Sequence, residues 1–346
     1  HPQNLGAIGV TGTPGANIFA READLVIGIG TRYSDFTTAS KTAFQNPDVR
    51  FININVTEFD AYKHSALPLV GDARAVLEEL EAATKGYRVE DSYHAAASGL
   101  QAKWEKEVDR IYNLKHGPPI SQGSVIGVVN RVSGPKDVVL CAAGSLPGDL
   151  HKLWRTRDPK GYHMEYGYSC MGYEIAGGLG AKMADPKREI YVMVGDGSYL
   201  MMAQEIATSL QEGYKLNIIL LDNHGFSSIG GLSRACGNQG MGTEYRYRKN
   251  GKLSGNNVEI DFVANAASLG AYAVRARTAD DLEQALIEAR KQPRTSVVVV
   301  ETDYNERVSG YESWWDVPIA EVSEVESVRA TYGNYYEAKK KERYFL

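Results

Sequence analysis

The sequence has few cysteines: Cys141, Cys170 and Cys236 are its only three, and they lie far apart. An odd number at this spacing predicts neither a disulfide framework nor a metal knuckle, and it favours a reducing cytoplasm. An excess of basic residues is also lacking, since 38 Lys and Arg stand against 43 Asp and Glu, for a net charge of −5. This balance argues against nucleic-acid binding.

No apolar run approaches the length of a membrane span. The chain does not begin with methionine, so we expect further sequence upstream of His1.

The composition that is present is ordinary for globular proteins, with 43% hydrophobic and 23% charged residues. A length of 346 residues is sufficient for two domains with full cores. Short apolar runs alternate with helical segments along most of the chain, which predicts an α/β fold of two doubly wound domains with mainly parallel sheets. We expect a first domain at 1–85, a connector at 86–118, a second domain at 119–305 and a C-terminal tail at 306–346.

Two polar segments of the second domain each follow a predicted buried strand. Gly195-Asp196-Gly197-Ser198 lies between a predicted buried strand at 189–194 and a predicted helix at 199–212. A second buried strand, at 215–221, ends just before Asp222-Asn223-His224-Gly225. Asp196 and Asn223 therefore fall at the carboxyl ends of two strands, the edge at which open α/β sheets bind ligands.

The residue types at this edge predict a Mg²⁺–diphosphate clamp. Gly197 and Ser198 would present backbone N–H groups at a helix start, which suits a phosphate. Asp196 offers a carboxylate oxygen, Asn223 an amide oxygen and Gly225 a backbone carbonyl, which leaves room in an octahedral shell for two phosphate oxygens and a water. A lone Gly-Asp-Gly is more often a surface turn. The flanking strand and helix, and an Asn that follows Asp196 after 27 positions (223 − 196), favour the clamp.

Other segments carry weaker signals. The glycine-rich stretch 225–243 is predicted to be a mobile pocket wall, and the alternating aromatic and basic residues of 244–249 are predicted to be a solvated face. Glycines in a predicted helix at 174–183 suggest close backbone approach to a cofactor or a subunit. Gly28-x-Gly30 lacks the third glycine of a dinucleotide fingerprint, so strand-end turns are the better interpretation. The adjacent Trp314 and Trp315 either anchor the tail or cover the mouth of a site.

Together these motifs resemble those of thiamine diphosphate (ThDP) enzymes of the pyruvate decarboxylase and acetohydroxyacid synthase superfamily. In that superfamily Gly-Asp-Gly is followed, after a helix and a strand, by Asn-Asn. Here Asp222 stands in place of the first Asn, so the match rests on Asn223. Segments 1–6 and 23–30 are similar to the central domain of acetohydroxyacid synthases. Gly225-Phe226 and segments 242–248 and 313–317 look most like the trihydroxycyclohexane-1,2-dione hydrolases of myo-inositol catabolism.

The resemblance implies a role for each matched position. Met171 would support the bend of the cofactor and bind its pyrimidine ring through the backbone N–H, and the Ser169 carbonyl would accept from the 4′-amino group. His224 is the best-placed candidate for contact with the substrate, and Ser227, Ser228, Arg234 and segment 244–248 are further candidates. The diphosphate and metal end of the cofactor would be bound by Gly195, Asp196, Gly197, Ser198, Asn223, Gly225 and Phe226.

One essential group is expected elsewhere. The resemblance assigns the activating glutamate to a pyrimidine-binding domain, and Glu165 and Glu205 lie at the wrong places in the pattern to replace it. In this superfamily the active site forms between the pyrimidine domain of one subunit and the diphosphate domain of another. We therefore expect the chain to be the C-terminal portion of a longer protein, inactive by itself, that works as a homodimer or homotetramer.

The reaction implied by the resemblance is hydrolytic ring opening of a cyclic 1,2-diketone, trihydroxycyclohexane-1,2-dione, to 5-deoxyglucuronate. One alternative keeps the cofactor but acts on 2-oxo acids, as acetohydroxyacid synthase or glyoxylate carboligase does. A second alternative is a non-catalytic subunit on the same fold, although such a subunit has no reason to retain Asp196, Asn223 and Gly225. Some relatives hold FAD in the central domain; the sequence leaves FAD binding open here, and no motif in it supports FAD.

Overall fold

The computed structural model describes residues 1 and 3–345, and the described chain divides into two compact units. The first comprises residues 1–107 and 309–346, and the second residues 108–308. The four-part division expected from the sequence stays a prediction, because a compact unit need not coincide with a functional domain. None of the described helices is both long and apolar enough to cross a membrane.

The strands are short and number eleven in the described residues. They are β1 (Leu25–Ile29), β2 (Arg50–Asn55), β3 (Leu67–Val70), β4 (Val138–Cys141), β5 (Tyr162–Met164), β6 (Ile190–Gly195), β7 (Asn217–Asp222), β8 (Arg246–Lys249), β9 (Lys252–Asn257), β10 (Tyr272–Ala276) and β11 (Ser296–Glu301).

Helices connect most of these strands. The α-helices are α1 (Pro14–Glu22), α2 (Glu58–Ala61), α3 (Ala73–Ala83), α4 (Asp91–Tyr112), α5 (Gln122–Val132), α6 (Leu146–Leu153), α7 (Tyr173–Ala184), α8 (Asp196–Met202), α9 (Glu205–Gln211), α10 (Ser227–Ala235), α11 (Phe262–Ser268), α12 (Ala279–Lys291) and α13 (Glu326–Lys339), and a 3₁₀ turn spans Lys63–Ser65.

The first unit is built on a three-stranded parallel sheet in the order β1-β2-β3. Its helix α1 begins with Pro14 and is capped by the Thr13 hydroxyl, which accepts from the Ala16 N–H at 3.2 Å. The tail folds onto the same unit: Trp315 donates its indole N–H to Asp35 at 2.8 Å and packs against the Phe36 ring. Of the two roles considered for the tail tryptophans, Trp315 therefore has the anchoring one.

The second unit is built on a six-stranded sheet in the order β10-β11-β7-β6-β4-β5, in which every pair is parallel. Residues of β4, β6, β7 and β11 are almost all buried, as expected for strands covered by helices on both faces. The predicted α/β class with mainly parallel sheets is confirmed. The chain leaves β4 for β5 on one side and then crosses to β6 on the other. In open α/β sheets, ligands bind outside the carboxyl ends of the strands at such a switch point, which here lies between β4 and β6.

The helix predicted at 199–212 is two helices, and this prediction is wrong in detail. The first of them, α8, already begins at Asp196, because the Gly-Asp-Gly-Ser stretch enters the helix rather than preceding it. Between α8 and α9 the Ile206 N–H bonds to the Ala203 carbonyl and the Ala207 N–H to that of Gln204. These bonds span three residues instead of four, so the helix tightens and is interrupted there.

The glycine-rich segment predicted to be a mobile pocket wall contains a regular helix, α10. Its glycines serve packing: a side chain at Gly230 would overlap the Tyr304 hydroxyl, and one at Gly231 would overlap the Arg307 guanidinium. Downstream, β8 and β9 form an antiparallel hairpin that the sequence analysis did not predict. Its turn is Asn250-Gly251, both with positive φ, which is the most common signature of a two-residue hairpin loop.

Candidate active site

The Gly-Asp-Gly-Ser and Asp-Asn-His-Gly stretches lie side by side at the carboxyl edge of the second unit's sheet. β6 pairs with β7 so that Gly195, the last residue of β6, is the register partner of Leu221, one residue before β7 ends at Asp222. Asp196, the first residue of α8, is fully buried. One of its carboxylate oxygens accepts the Gly197 N–H at 2.8 Å, and the other accepts the Gly225 N–H at 2.9 Å. Asp196 thus joins the start of α8 to the loop after β7.

The polar groups around Asp196 fit a cation. Asn223 is buried, and its side-chain oxygen has no hydrogen-bond partner within the described part of the chain, which is costly unless something else binds it. Burial and the nearby charge of Asp222 raise the pKa of Asp196 to about 7. A positive ion between these groups would satisfy the amide oxygen and favour the ionised carboxylate. The described residues contain no cluster of three His, Cys, Asp or Glu side chains suited to a metal. A hard cation bound through amide and carbonyl oxygens fits this set better than zinc.

The expected free N–H of Gly197 is not seen, and this is a correction to the sequence analysis. The Asp196 side chain folds back on its own helix and accepts that N–H. The hydroxyl of Ser198 is also engaged, because it donates to Glu174 at 2.7 Å and accepts from the Gly172 N–H at 2.7 Å. A side chain at position 197 would lie 2.7 Å from the Phe226 ring, so Gly197 allows Phe226 to cover the start of α8.

The turn that contains Ser169 and Met171 is held at the carboxyl end of β4. Ser169 has a positive φ of 53°, an uncommon conformation for a residue other than glycine, and its hydroxyl donates to the Ala142 carbonyl at 3.4 Å. Glu165 accepts the backbone N–H groups of Tyr168 and Cys170 at 3.0 and 2.7 Å. Glu165 therefore shapes this turn. Met171 is half-buried, and Ser169 is exposed.

Gly172 ends the turn and is the N-cap residue of α7. Its φ is 91°, and a side chain there would lie 2.6 Å from the Met202 side chain of α8. Both observations require glycine at this position. The structure therefore brings the turn with Ser169 and Met171 against the helix that begins with Asp196.

His224 is held between two carboxylates. Its Nε2 lies 3.0 Å from Glu301, and its Nδ1 lies 3.3 Å from Asp222. The backbone N–H of His224 also donates to Asp222 at 3.3 Å, and the residue has a positive φ of 61°. The departure from Asn at position 222 is thus matched by a histidine two residues later. Both ring nitrogens face carboxylates, which orient the imidazole ring.

The other candidate substrate residues lie along α10 and the segment after it. Ser227 is buried, with its hydroxyl 3.4 Å from that of Ser145. The guanidinium of Arg234 lies 4.6 Å from the centre of the Tyr304 ring. Glu244 forms ion pairs with Arg246 at 2.5 Å and with Arg234 at 3.9 Å. Much of the polar character predicted for segment 244–248 is thus satisfied locally.

Two buried carboxylates near this edge were missed by the sequence analysis. Asp149 accepts the Gln122 amide at 2.7 Å, and burial raises the pKa of Asp149 to about 6. Glu174 is fully buried in the first turn of α7 and contacts Gly172 and Ser198. The available signal for Glu174 was a lone acidic residue inside a run of small and apolar residues, 171–181.

Two protein-family models match this chain, and both describe domains of thiamine pyrophosphate enzymes. A model described as "Thiamine pyrophosphate enzyme, C-terminal TPP binding domain" matches residues 142–300. A second, "Thiamine pyrophosphate enzyme, central domain", matches residues 1–80. The chain belongs to the thiamine pyrophosphate enzymes, thiamine pyrophosphate being another name for ThDP. The family expected from the sequence motifs is confirmed.

Individual relatives narrow the comparison. A protein of Bacillus cereus (strain AH820) is named "3D-(3,5/4)-trihydroxycyclohexane-1,2-dione hydrolase", and its sequence is 44% identical to this chain over an alignment of 358 positions, gaps included. The alignment covers 96% of this chain and 56% of the relative. A protein of the same name from Bacillus thuringiensis (strain Al Hakam) is 45% identical over 360 residues, with the same coverage. The chain thus spans about half the length of the curated relatives it matches.

Proposed function

We propose that this chain supplies the diphosphate- and metal-binding half of the active site of a ThDP- and Mg²⁺-dependent hydrolase. Its substrate would be a cyclic 1,2-diketone, trihydroxycyclohexane-1,2-dione, as in the inositol catabolism implied by the resemblance. The identity to relatives of that name supports the choice of substrate. The single structural observation that supports the site is the buried pairing of Asp196 with the loop that carries Asn223 and Gly225.

The roles of the metal-binding residues follow from their chemistry. The carboxylate of Asp196, the unpartnered amide oxygen of Asn223 and the backbone carbonyl of Gly225 would hold Mg²⁺. Gly195, Gly197, Ser198 and Phe226 would line the diphosphate end of the cofactor. The Gly225 N–H keeps the Asp196 carboxylate in place, so that its charge is already oriented before the cation binds.

The turn before α7 would hold the other end of the cofactor. The Ser169 carbonyl would accept from the aminopyrimidine, the Met171 N–H would donate to its ring, and the half-buried Met171 side chain would support the bend. When bound, ThDP supplies the nucleophilic carbon and the electron sink that C–C bond cleavage requires. The protein supplies orientation and electrostatics, and His224 is the candidate for substrate contact whose present partners, Asp222 and Glu301, would set its ring orientation.

The overall reaction consumes one water per ring. The bond between the two adjacent carbonyl carbons breaks, one carbon gains the water oxygen and becomes a carboxylate, and the other gains a hydrogen and becomes an aldehyde. The product would be 5-deoxyglucuronate.

The activating glutamate is expected on a pyrimidine-binding domain from another subunit, in a homodimer or homotetramer. A cytoplasmic location stays a prediction from the cysteines, all three of which are free thiols.

Product analysis tests this proposal. The whole protein that contains these residues is purified from its source together with any chains that co-purify with it. It is then incubated with ThDP, Mg²⁺ and one of two substrates, the cyclic dione or pyruvate. We expect one acid with an aldehyde end from the dione and no carbon dioxide or acetohydroxy acid from pyruvate. Samples treated with a chelator serve as controls. Turnover of pyruvate alone would favour the carboligase or decarboxylase alternative. Binding of ThDP without turnover of either substrate would favour a non-catalytic subunit.

A further inference from the structure

Glu174 connects three separate segments at the carboxyl edge of the sheet. One of its carboxylate oxygens accepts the Ala143 N–H, just after β4, at 3.2 Å. The other accepts the Gly172 N–H at 3.1 Å and the Ser198 hydroxyl, in α8, at 2.7 Å. The residue is fully buried, so water does not compete for these bonds.

These contacts form a closed arrangement that suits a carboxylate. An ionised carboxyl group only accepts hydrogen bonds, and all three of its partners here are donors. The Gly172 N–H is shared between Glu174 and the Ser198 hydroxyl, which closes a ring of three groups. Burial raises the pKa of Glu174, and the Ser198 hydroxyl and the backbone N–H groups of Glu174 itself, Ala143 and Gly172 oppose that rise by favouring the ionised form. In the protein interior, hydrogen bonds to a charged group are stronger than hydrogen bonds between two neutral groups.

The two segments held by Glu174 belong to opposite ends of the proposed cofactor site. Gly172 directly follows Met171, the candidate for the pyrimidine end. Ser198 lies two residues after Asp196, the candidate for the metal and diphosphate end. The separation of these two ends must match the bent cofactor. Glu165 fixes the outer side of the same turn through Tyr168 and Cys170. The inner side meets α8 through the direct bond from Gly172 to Ser198, and Glu174 accepts from both of these residues and so holds that bond in place.

We propose that Glu174 is a positioning residue that sets the distance between the turn of residues 169–172 and the start of α8, and thereby makes the site bind the two ends of ThDP together. This inference rests on the proposed function. Glu174 itself touches neither end of the cofactor; it acts through Gly172 and Ser198.

The sharpest variant is Glu174→Gln, which keeps the size of the side chain. An amide has one acceptor and one donor group, so its NH₂ must face at least one of the three donors that Glu174 now accepts. Loss of one hydrogen bond to a buried charged group costs enough free energy to change the equilibrium constant between the correctly and incorrectly positioned site about tenfold or more. Glu174→Asp keeps the charge but shortens the side chain, and it provides a second, milder variant.

The matched control is Glu189→Gln. Glu189 accepts the Asn217 amide at 2.7 Å and lies just before β6, at the amino end of the strand and so at the opposite edge of the sheet. This control makes the same chemical change in the same unit without touching the turn or α8.

The experiment measures binding of two probes to the protein, each with Mg²⁺. ThDP requires both ends of the site, whereas inorganic pyrophosphate requires only the diphosphate end. We expect Glu174→Gln to weaken ThDP binding about tenfold or more and pyrophosphate binding to a clearly smaller extent, because ThDP needs the turn as well as Ser198 whereas pyrophosphate needs Ser198 alone of the two. Glu174→Asp should weaken ThDP binding to a smaller extent, and Glu189→Gln should change neither. In the absence of any ligand, hydrogen exchange of segment 165–175 should become faster in Glu174→Gln, to a smaller extent in Glu174→Asp, and should not change in Glu189→Gln.

A purely structural role would affect both probes. Equal losses of ThDP and pyrophosphate binding in Glu174→Gln, or no loss of either, would therefore overturn the inference. If the unaltered protein bound pyrophosphate and ThDP with no dependence on Mg²⁺, the proposed function would fail, and this inference with it. Selective loss of ThDP binding with unchanged hydrogen exchange would also contradict the positioning role.

Discussion

Replacing Asp196 with asparagine is expected to weaken Mg²⁺-dependent binding of ThDP about 100-fold or more. The change removes the only formal negative charge that the proposed metal site contributes. At an effective dielectric constant near 20, a unit charge about 4 Å from another is worth about 4 kcal/mol, which exceeds the free energy of a 100-fold change. The asparagine NH₂ would also face the N–H of Gly197 or of Gly225, because both now donate to the carboxylate. The measurement is calorimetric titration with ThDP at saturating Mg²⁺.

The matched control for this prediction is Asp185→Asn, which makes the same change at a half-exposed side chain after α7. It should bind ThDP like the unaltered protein. Circular dichroism of both variants checks that the fold is retained. If Asp196→Asn kept its fold and still bound ThDP within about threefold of the original affinity, Asp196 would not be a metal ligand.

Replacing Gly225 with alanine is expected to destabilise the protein and to disrupt the same site. Gly225 has a φ of 151°, and an added side chain would overlap the Thr243 carbonyl oxygen and lie 2.8 Å from the Glu244 Cα. Both neighbours are backbone, so the short bridge between the two segments must separate. We expect a loss of about 2–4 kcal/mol in the free energy of unfolding and at least tenfold weaker ThDP binding. Urea denaturation and calorimetric titration measure the two effects.

Gly180→Ala provides the comparison for that variant. Gly180 is exposed in α7, and a side chain there meets no atom within 4 Å. Alanine is the better helix former by about 1 kcal/mol, so Gly180→Ala should be neutral or stabilising. The account of the clamp would be wrong if Gly225→Ala behaved like Gly180→Ala in both measurements.

The strands around the site could be predicted from the sequence because their signals are local. Strands were expected at 189–194 and 215–221, and β6 and β7 occupy Ile190–Gly195 and Asn217–Asp222. Apolar, β-branched runs that end at Gly or Asp determine such strands without reference to the rest of the chain. Parallel pairing of the two strands then necessarily brings Asp196 and the residues after Asp222 to one edge.

The parts that were missed depend on contacts between distant residues. The glycines of α10 look like loop residues until Tyr304 and Arg307 are seen packed against them. Glu174 looks like an ordinary helix residue until Ala143 and Ser198, which are 31 and 24 positions away, are found to donate to it. No local pattern contains this information. The hairpin is different, since its Asn250-Gly251 turn was a readable local signal that the sequence analysis passed over.

Calorimetric titration of the unaltered protein with ThDP, with and without Mg²⁺, tests the central claim most directly. The account predicts binding that requires Mg²⁺ and disappears on addition of a chelator, because Asp196 and the unpartnered oxygen of Asn223 need a cation before they can meet a diphosphate. ThDP binding of equal strength in the presence of a chelator, or no binding in either condition, would contradict it.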